Sequence, residues 1–486
     1  MTDTKFSRMR YALAPWLIAV VLLNAGCESP RQKSVFQDDK TSQASGKKKE
    51  TLKPPTPENQ GQPRRAELPP YAPPSATPEP NRDRAPSLRE RPQEDEPEQA
   101  SATALPKSAT VRVALLLPLS GPSAALGIAM QNAAQLAMFS FADDKFELLI
   151  HDTKETPEGA VEAVGSAIGD GAHLILGPLL RTSVRAAAPA ARAANVPMVS
   201  FSSDRTVAGQ GVFTMGFYPE SEVERVVAFA RSRGITTFAA LAPEDENGKA
   251  VVSALQRAAE THGARISKIQ FYDPETGDFS GIVRKLANYD ERRRALLDQK
   301  TTLESKDDEI SRRALERLAK MQTIGDPPFE ALLLADGGKR LQAIAALLPF
   351  YDIDPAKVHI LGTGRMDVPE IGAEPALVGA WFAAPPPSAR IDFEKQYQEV
   401  YGQPPPRLAT LAYDATAMAA WLAQAEAGAD LGVRALTNPG GFFGRDGIFR
   451  FLNNGAVERG LAVLKVLRHD STVIDKAPET FEKATN

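Results

Sequence analysis

The sequence is poor in the residues that most often carry chemistry. Its 486 residues include one cysteine, which excludes an intrachain disulfide, a thiolate zinc cluster and a Cys-x-x-Cys redox site. The five histidines are scattered without metal-ligand spacing, and the usual hydrolase, phosphate-loop and zinc-protease motifs are missing. Lys and Arg number 57 against 61 Asp and Glu, so no basic excess is available for nucleic acid. We therefore expect no enzyme, no catalytic residues, no metal or other cofactor, and no nucleic-acid partner.

The N-terminus has the pattern of an export signal. Basic residues precede a short apolar run at 16–23, and Asn24-Ala25-Gly26 then lead to Cys27. This order resembles a bacterial lipobox, with Asn24 where leucine is usual. The resemblance implies a signal peptide over residues 1–26 and lipidation at Cys27. With Glu28 next, it implies a periplasmic protein held only by lipid to the inner leaflet of the outer membrane. The alternative is an ordinary signal peptide with an accidental cysteine.

Residues 27–108 are predicted to be a disordered tether. Residues 28–108 hold 15 of the 39 prolines and few bulky apolar side chains, so they cannot bury enough surface to offset their conformational entropy. The stretch 68–74, Leu-Pro-Pro-Tyr-Ala-Pro-Pro, favours extended polyproline II. Fully extended, the tether spans up to roughly 250 Å. Such reach suits a body that must find a partner across the periplasm, although neutral drift of a linker remains the alternative.

From residue 110 onward, the sequence alternates apolar runs with helical segments. Continuous apolar runs predict strands that are buried on both faces, and strands separated by helices predict a parallel sheet. Ligands of such sheets bind beyond the carboxyl ends of the strands. The predicted strands are 111–118, 146–152, 173–178 and 196–200, and the predicted helices are 127–141, 157–168 and 182–194, the last capped by Thr182 or Ser183.

Four motifs resemble the leucine-binding-type periplasmic receptors, the type I periplasmic binding proteins. They are Leu-Ser-Gly-Pro at 119–122, Gly-Pro at 177–178, Val-Pro-Met-Val-Ser at 196–200 and Ala-Tyr-Asp-Ala at 412–415. The resemblance implies an α/β fold with two Rossmann-like lobes that close like a Venus flytrap after the tether. It places lobe one at residues 109–217 and 355–436, lobe two at 218–354 and 437–470, and a flexible tail at 471–486.

The predicted cleft differs from that of the amino-acid receptors of the family. Those receptors bind the ligand carboxylate through hydroxyl and helix N–H groups, and they bind the ligand ammonium through acidic residues. An ammonium buried without such an acid is costly. Asp204 and Asp336 are one possible relocated ammonium site. The alternatives are hydrated hinge residues without a small ligand, or another kind of solute. The candidate ligand-binding residues are Ser183, Ser202, Ser203, Asp204, Tyr218, Asp336 and Arg365.

A charged insertion at residues 290–320 separates this chain from ordinary receptors. Leu296, Leu303 and Ile310 recur every seven residues, which predicts a helix with a narrow apolar stripe. This stripe either covers its own lobe or docks a partner. Together with residues 329–336, the insertion resembles the C-terminal domain of the outer-membrane lipoprotein activators of penicillin-binding proteins. The helical-repeat N-terminal domain of enterobacterial members is missing here.

Two functions therefore stay open. The resemblance to the activators implies a regulator that activates a peptidoglycan synthase, a class A penicillin-binding protein, by direct contact. The commonest use of the fold implies instead a receptor that delivers an amino acid or amide to an ABC permease. A receptor must close on its solute, whereas a contact activator need not respond to one.

Overall fold

The computed structural model describes residues 109–425 and 428–481. The predicted signal peptide, the predicted lipid attachment at Cys27 and the predicted tether lie outside these ranges. Within the ranges, no helix combines the length and the apolar character needed to cross a membrane.

The described chain begins with a five-stranded parallel sheet, which confirms the alternating pattern of the sequence. Its elements are β1 Val111–Leu117, α1 Ala124–Phe141, β2 Phe146–Asp152, α2 Pro157–Gly169, β3 Leu174–Leu176, α3 Arg181–Ala193, β4 Met198–Ser200 and β5 Val212–Thr214. The strand order is β2-β1-β3-β4-β5, and every pairing is parallel. Side chains on alternate positions of β1 enter two different apolar cores, so this strand is apolar nearly throughout.

Among α1, α2 and α3, only α2 has a side-chain cap at its N-terminus. The Thr156 side chain accepts a hydrogen bond from Gly159 N at 2.9 Å, and Pro157 supplies the first helical residue of α2. The predicted cap of α3 is wrong, because the helix begins at Arg181 after Leu180, which makes no side-chain cap. Ser183 therefore lies inside the helix, where it is buried.

The second part of the chain builds another α/β unit. Its elements are α4 Pro219–Ser232, β6 Thr237–Pro243, α5 Glu246–Thr261, β7 Arg265–Tyr272, α6 Ser280–Leu286, α7 Tyr289–Glu304, α8 Glu309–Ala319, β8 Ala331–Leu334, α9 Gly338–Leu347, β9 His359–Gly362 and β10 Trp381–Ala384. The apolar side chains of β6, β8 and β10 divide between two cores, one on each side of the sheet.

The last part of the chain visits both units. Its elements are α10 Ile391–Tyr401, α11 Ala409–Ala423, α12 Val433–Leu436, β11 Phe442–Gly444, β12 Gly447–Phe451, β13 Val457–Arg459, β14 Ala462–Val466 and β15 Ser471–Asp475. The seven-stranded sheet of lobe two has the order β15-β14-β10-β9-β8-β6-β7, and β11-β12-β13 form a small antiparallel sheet. Helix α11 and strands β12 and β13 bury their apolar side chains in the core of lobe one.

The predicted division into lobes is wrong in two places. Strands β9 and β10 pair within the sheet of lobe two, so the first part of the segment 355–436, through β10, belongs there and not to lobe one. Conversely, β11 to β13 belong to lobe one, where Thr214 pairs with Ala456. A buried parallel strand has the same apolar pattern in either lobe, and the sequence does not show which strand it will pair with.

The predicted flexible tail is also wrong over its first residues. Strand β15 pairs with β14 in antiparallel register, with Val466 opposite Ser471. Farther on, the Arg450 guanidinium stacks over the Phe481 ring at 4.6 Å. The first residues of the predicted flexible tail therefore form an edge strand of lobe two.

The charged insertion forms two helices where the sequence predicted a single stripe. The chain breaks at residues 305–308, and Asp308 begins α8 by accepting a hydrogen bond from Ser311 N at 2.8 Å. Leu296 is buried, Leu303 is half-buried and Ile310 is 80% exposed. Because the break lies between Leu303 and Ile310, the seven-residue spacing does not place the three side chains on one face.

Candidate functional site

Three segments connect the two lobes. They are residues 215–218 after β5, 385–390 after β10 and 460–461 before β14. Arg459 Nη2 donates to Met215 O at 2.6 Å, and Val457 N donates to Tyr218 Oη at 3.3 Å. Segments of this kind form the hinge in two-lobed proteins that close on ligands.

A set of buried and partly buried charged side chains lies in the hinge, and we call it the hinge charge cluster. Arg407 joins the lobes, because its Nη2 is 2.8 Å from Asp446 Oδ1 of lobe one and its Nε is 3.5 Å from Asp367 Oδ2 of lobe two. Arg390 Nη2 donates to Asp367 Oδ1 at 2.8 Å. Buried charges are stable only when paired, so these contacts hold the hinge in one arrangement. The cluster comprises Asp367, Arg390, Arg407, Asp414, Asp446 and Arg459.

The carboxyls of the hinge differ in pKa because their surroundings differ. Burial raises the pKa of Asp414 to about 7, and the negative charge of Asp446 acts in the same direction. Burial opposes ionisation of Asp446 as well, but the Arg407 and Arg459 guanidinium groups outweigh it and leave that pKa lowered. The buried Asp pair therefore favours one ionised carboxylate, at Asp446.

Glu222 adds a further buried carboxyl on the first turn of α4. Its Oε2 accepts a hydrogen bond from Gly364 N at 2.9 Å. Burial raises the pKa of Glu222 to about 7, although that hydrogen bond and the positive charge of Arg407 act in the opposite direction. Since Gly364 follows β9, the bond ties the first turn of α4 to the loop that ends β9 of the same lobe.

An aromatic ring completes the hinge. Phe217 stacks with two guanidinium groups, that of Arg407 at 4.4 Å and that of Arg459 at 5.0 Å from the ring centroid. Such cation–π contacts stabilise arginines that are removed from water. The first connecting segment is thus fixed by the same arginines that pair the buried carboxylates.

Asp204, a predicted ligand-binding residue of lobe one, is fully engaged by its own lobe. Its Oδ2 is 3.0 Å from Arg185 Nη2 and 3.5 Å from Arg181 Nε, while its Oδ1 accepts from Thr206 N at 3.0 Å. Burial would raise the pKa of Asp204, but the hydrogen bonds from Thr206 and the two arginines lower it. The carboxylate is therefore stably ionised and already paired.

The predicted serines of lobe one divide between buried and exposed positions. Ser183 Oγ is 3.5 Å from Thr156 O, and Ser202 Oγ accepts from Asp204 N at 3.1 Å. Ser203 alone is exposed beside them. The structure brings Ser202 and Asp204 together but uses the Ser202 hydroxyl to shape its own loop.

Asp336, the predicted ligand-binding acid of lobe two, is held by hydrogen bonds and arginines of its own lobe, as Asp204 is in lobe one. Asp336 accepts a hydrogen bond from the Tyr272 hydroxyl and another from Gly337 N at 2.8 Å. Its carboxylate also lies 3.7 Å from Arg340 Nε and 3.9 Å from Arg365 Nη2. Burial and the bond to Asp336 together raise the pKa of Tyr272. Asp336 and Arg365 are thus brought together, as an internal ion pair.

Tyr218 lies in the first connecting segment and its hydroxyl is likewise occupied. It donates to Thr214 O at 3.0 Å, contacts the Thr214 hydroxyl and accepts from Val457 N. The Arg205 guanidinium stacks over its ring at 3.9 Å. Tyr218 therefore anchors the hinge to the small sheet of lobe one.

A further ion pair joins the two lobes. Arg181, the first residue of α3, pairs with Glu246, the first residue of α5. Both helices follow the carboxyl ends of strands, which is the edge where ligands bind in this kind of sheet. A charged pair of the protein itself therefore stands between the two lobes.

Sequence reasoning missed the hinge charge cluster and the pair between the lobes. Asp367 and Asp446 are far apart in sequence, and neither belongs to a recognisable motif. Arg407 follows three prolines, which signal a turn but not a buried charge. Only the pairing of two lobes places these side chains in contact.

The chain matches a family model described as periplasmic binding protein over residues 110–468, the range that forms the two lobes. The chain belongs to the periplasmic binding protein family. Membership places the domain in the periplasm, and the fold is that of the leucine-binding-like, type I members.

Similar proteins share this fold at low identity. An uncharacterized protein of Rickettsia prowazekii, RP748, is 20% identical over 261 residues, which are 53% of this chain and 61% of that protein. A leucine binding protein from Thermotoga maritima is 19% identical with a TM-score of 0.51, over 75% of this chain and 97% of that one. A solute binding protein of an ABC transporter from Rhodopseudomonas palustris, in complex with 3,4-dihydroxybenzoic acid, is 16% identical with a TM-score of 0.53, over 76% and 98%.

Proposed function

We propose that this protein is a lipid-anchored contact regulator that activates a class A penicillin-binding protein, a peptidoglycan synthase. In this proposal Cys27 anchors the chain to the inner leaflet of the outer membrane. The tether then carries the periplasmic binding protein domain toward a synthase in the inner membrane. The domain acts by surface contact and not by catalysis.

The observation that carries the proposal is the internal pairing of charges in the cleft. An amino-acid ligand needs a free acid for its ammonium, since an unpaired charge in a closed cleft costs several kcal/mol. Asp204 and Asp336 are each held by arginines of their own lobe. Arg181 and Glu246 pair with each other across the lobes. A solute would have to displace these contacts, whereas a contact regulator leaves them intact.

The outer side of the charged insertion supplies a surface for the synthase, and we call it the hairpin face. It includes Ile310 on α8, 80% exposed, and Leu297 on α7, 50% exposed. Charged side chains of both helices surround these two. An apolar anchor inside a polar rim is the usual anatomy of a protein interface. Leu296, in contrast, belongs to the packing of lobe two and is unavailable to a partner.

The test is a glycan polymerisation assay with the full chain and a purified class A penicillin-binding protein from the same organism. We expect the wild-type chain to raise the polymerisation rate. We expect Ile310→Glu to raise the concentration needed for half-maximal stimulation about tenfold or more, because a charge then replaces an interface anchor. The matched control is Ile391→Glu on α10 of lobe one, because Ile391 is also an exposed isoleucine on a helix. No stimulation by the wild-type chain, or equal effects of the two variants, contradicts the proposal.

The second candidate function is a receptor that delivers an amino acid or amide to an ABC permease. Its support is the likeness of the fold to solute binding proteins of ABC transporters. A receptor is stabilised by its solute, since the ligand binds only the folded state. A rise in melting temperature with an amino acid, together with crosslinking to permease subunits in native membranes, would favour this function over the regulator.

A further inference from the structure

A concave surface lies on lobe one, between the C-terminal end of α1, one side of α11 and the β11–β12 hairpin. It encloses a cavity of about 430 Å³, which is the size of a site for a small molecule. Trp421 is 61% exposed there and Phe443 is 80% exposed. We call this surface the aromatic groove; its rings are Phe141, Tyr413, Trp421, Phe442, Phe443 and Phe449.

The rings of the groove are held in place by one another. The Trp421 and Phe442 rings meet edge to face with their centroids 6.1 Å apart, and Phe442 packs on Phe449 at 5.5 Å. Phe141 meets Tyr413 edge to face at 6.2 Å. The aromatic walls are therefore in place before anything binds, and exposed apolar surface gathered in one concavity marks a binding site.

The groove is separate from the cleft between the lobes. Its rings belong to α1, α11 and the β11–β12 hairpin, and these elements bury apolar side chains in the cores of lobe one. The candidate residues of the cleft, Asp204 and Asp336 among them, do not line the cavity. A ligand of the groove is therefore additional to any solute of the cleft.

One guanidinium group borders the cavity, that of Arg445 between β11 and β12. Its Nη2 donates to Tyr413 Oη at 2.9 Å, and the group lies 5.0 Å from the centroid of the Tyr413 ring. Among residues 109–425 and 428–481, no carboxylate oxygen lies within 4.0 Å of this group. An arginine has five N–H donors in a planar fork that matches a carboxylate. Arg445 therefore has donors left for an anion.

The turn that carries Arg445 is fixed by Asp414 of α11. Arg445 N donates to Asp414 Oδ1 at 2.7 Å, and Asp446 N donates to Asp414 Oδ2 at 3.3 Å. Gly444 permits this close approach, since a Cβ there would lie 2.3 Å from Asp414 Oδ2. Burial raises the pKa of Asp414 to about 7, so at pH 6 this acid is mostly protonated and repels an anion in the groove only weakly.

The charge of the groove decides between two kinds of aromatic ligand. Aromatic rings bind cations over their faces, but the Arg445 guanidinium already lies over the Tyr413 ring and would repel a second cation. A ligand with one anionic group instead complements Arg445, and its apolar part complements the rings. A flat ring suits the edge-to-face and offset contacts that aromatic walls offer.

We propose that the aromatic groove is a binding site for an aromatic carboxylate. The ring of the ligand packs against Trp421 and Phe443, and its carboxylate pairs with the Arg445 guanidinium. The site does not depend on whether the domain is a regulator or a receptor, because the groove lies outside both the cleft and the hairpin face.

Isothermal titration calorimetry at pH 6 tests the proposal with the full chain in phospholipid nanodiscs. Empty nanodiscs are the blank, and detergent is avoided because it would compete for an apolar groove. The ligands are naphthoate, the neutral naphthylmethanol and the cationic naphthylmethylammonium, which share one ring system. We expect naphthoate to bind about tenfold more tightly than the alcohol, and the ammonium to bind most weakly. Any other order, or no binding, overturns the proposal.

A substitution of Arg445 tests the anion end of the site. Arg445→Gln removes the charge, so we expect the affinity for naphthoate to fall about tenfold and the affinity for naphthylmethanol to stay unchanged. The unchanged binding of the alcohol also shows that the variant is folded. The matched control is Arg434→Gln on α12, where the arginine side chain is 94% exposed, and it changes neither affinity.

A substitution of Phe443 tests the apolar end. Phe443→Ala removes a ring of the groove, so we expect both affinities to fall about fivefold. Phe350→Ala, which removes an exposed phenylalanine of lobe two, is the control and leaves both unchanged. Binding that neither Arg445→Gln nor Phe443→Ala weakens belongs to another site and overturns the proposal. Decanoate carries the same charge on a flexible chain, and tighter binding of decanoate than of naphthoate overturns the choice of an aromatic ligand.

Discussion

Asp446 is fully buried between two guanidinium groups, and Arg407 Nη2 lies 2.8 Å from its Oδ1. Asp446→Asn keeps the size of the side chain but removes its charge. Arg407 and Arg459 then lose a buried counter-charge, so we expect the free energy of unfolding to fall by about 3–5 kcal/mol. Urea denaturation of the full chain measures this loss.

The control for Asp446 is Asp430, the acid of a pair whose arginine is open to solvent. Asp430→Asn removes the partner of Arg434, whose side chain is almost wholly exposed. Because solvent screens such pairs, we expect a change of about 0.5 kcal/mol or less. Equal losses for Asp446→Asn and Asp430→Asn would show that the hinge charge cluster contributes no special stability.

Glu222 makes the stability of the protein depend on pH. Its pKa is about 7 in the folded chain against 4.5 as the ordinary value, so the folded state keeps a proton that the unfolded state loses. The free energy of unfolding therefore falls as pH rises from about 4.5 to 7 and is then level with respect to this group. Asp414, with a pKa of about 7, acts in the same direction.

Glu222→Gln removes one cause of the dependence of the free energy of unfolding on pH. The amide oxygen can still accept from Gly364 N, and no charge has to be buried at high pH. We expect the melting temperature of Glu222→Gln relative to wild type to rise between pH 5 and pH 8, by the equivalent of roughly 2 kcal/mol. Glu399→Gln, an exposed glutamate on α10 of lobe one, serves as the control and keeps the wild-type slope. A pH-independent difference would show that Glu222 is ionised throughout.

Among the helices, the insertion shows that a regular spacing of apolar residues in sequence need not place them on one face of a helix. Leu296, Leu303 and Ile310 are seven residues apart, but α7 ends at Glu304 and α8 starts afresh at Glu309. The capping signal at Asp308 was present in the sequence and outweighs the apolar period. The stripe therefore divides into a buried end at Leu296 and an exposed end at Ile310.

Two adjacent leucines of α7, Leu296 and Leu297, lie on its buried side and on its exposed side, respectively. Leu296 is 2% exposed, so Leu296→Ala leaves a cavity, and we expect a loss of about 2–4 kcal/mol. Leu297 is 50% exposed, so the same substitution there changes the free energy of unfolding by about 0.5 kcal/mol or less. Thermal and urea unfolding of the two variants measure the difference. Similar losses would mean that α7 packs through both sides.

At the scale of the whole molecule, the hinge combines the three connecting segments with the charges that fix them. Arg407 reaches both lobes, Phe217 stacks with Arg407 and Arg459, and Arg181 pairs with Glu246 across the cleft. A change of the angle between the lobes has to rearrange these contacts. The arrangement therefore favours a single relative position of the lobes.

Small-angle X-ray scattering tests that expectation in solution. We expect the scattering profile of the full chain to be the same with and without millimolar leucine, because Asp204 and Asp336, the acids predicted for an ammonium, already pair with arginines of their own lobes. The leucine binding protein from Thermotoga maritima is the comparison for a receptor of this fold. A ligand-dependent decrease of the radius of gyration in this chain would support the receptor function instead.

Much of the fold was predictable because it rests on local patterns. The apolar run of β1, the helices between strands and the turn motifs all follow from residues close in sequence. Ser202, Asp204, Asp336 and Arg365 lie just after strands β4, β8 and β9, and their role in ligand binding stays a prediction. Their partners were not predicted, since Arg185, Arg340 and Tyr272 reach them only through the packing of separate elements.

Patterns within the sequence are enough to predict the α/β class, the family of the domain and several strand ends at which polar side chains gather. Periodicity and capping are local, so they survive without knowledge of the tertiary structure. The lobe that holds β9, β10 and β12, the pairing of the carboxylates, and the packing of six aromatic rings around one cavity follow from tertiary contacts. These facts depend on contacts between residues far apart in the chain, because burial and charge pairing are properties of neighbours in space.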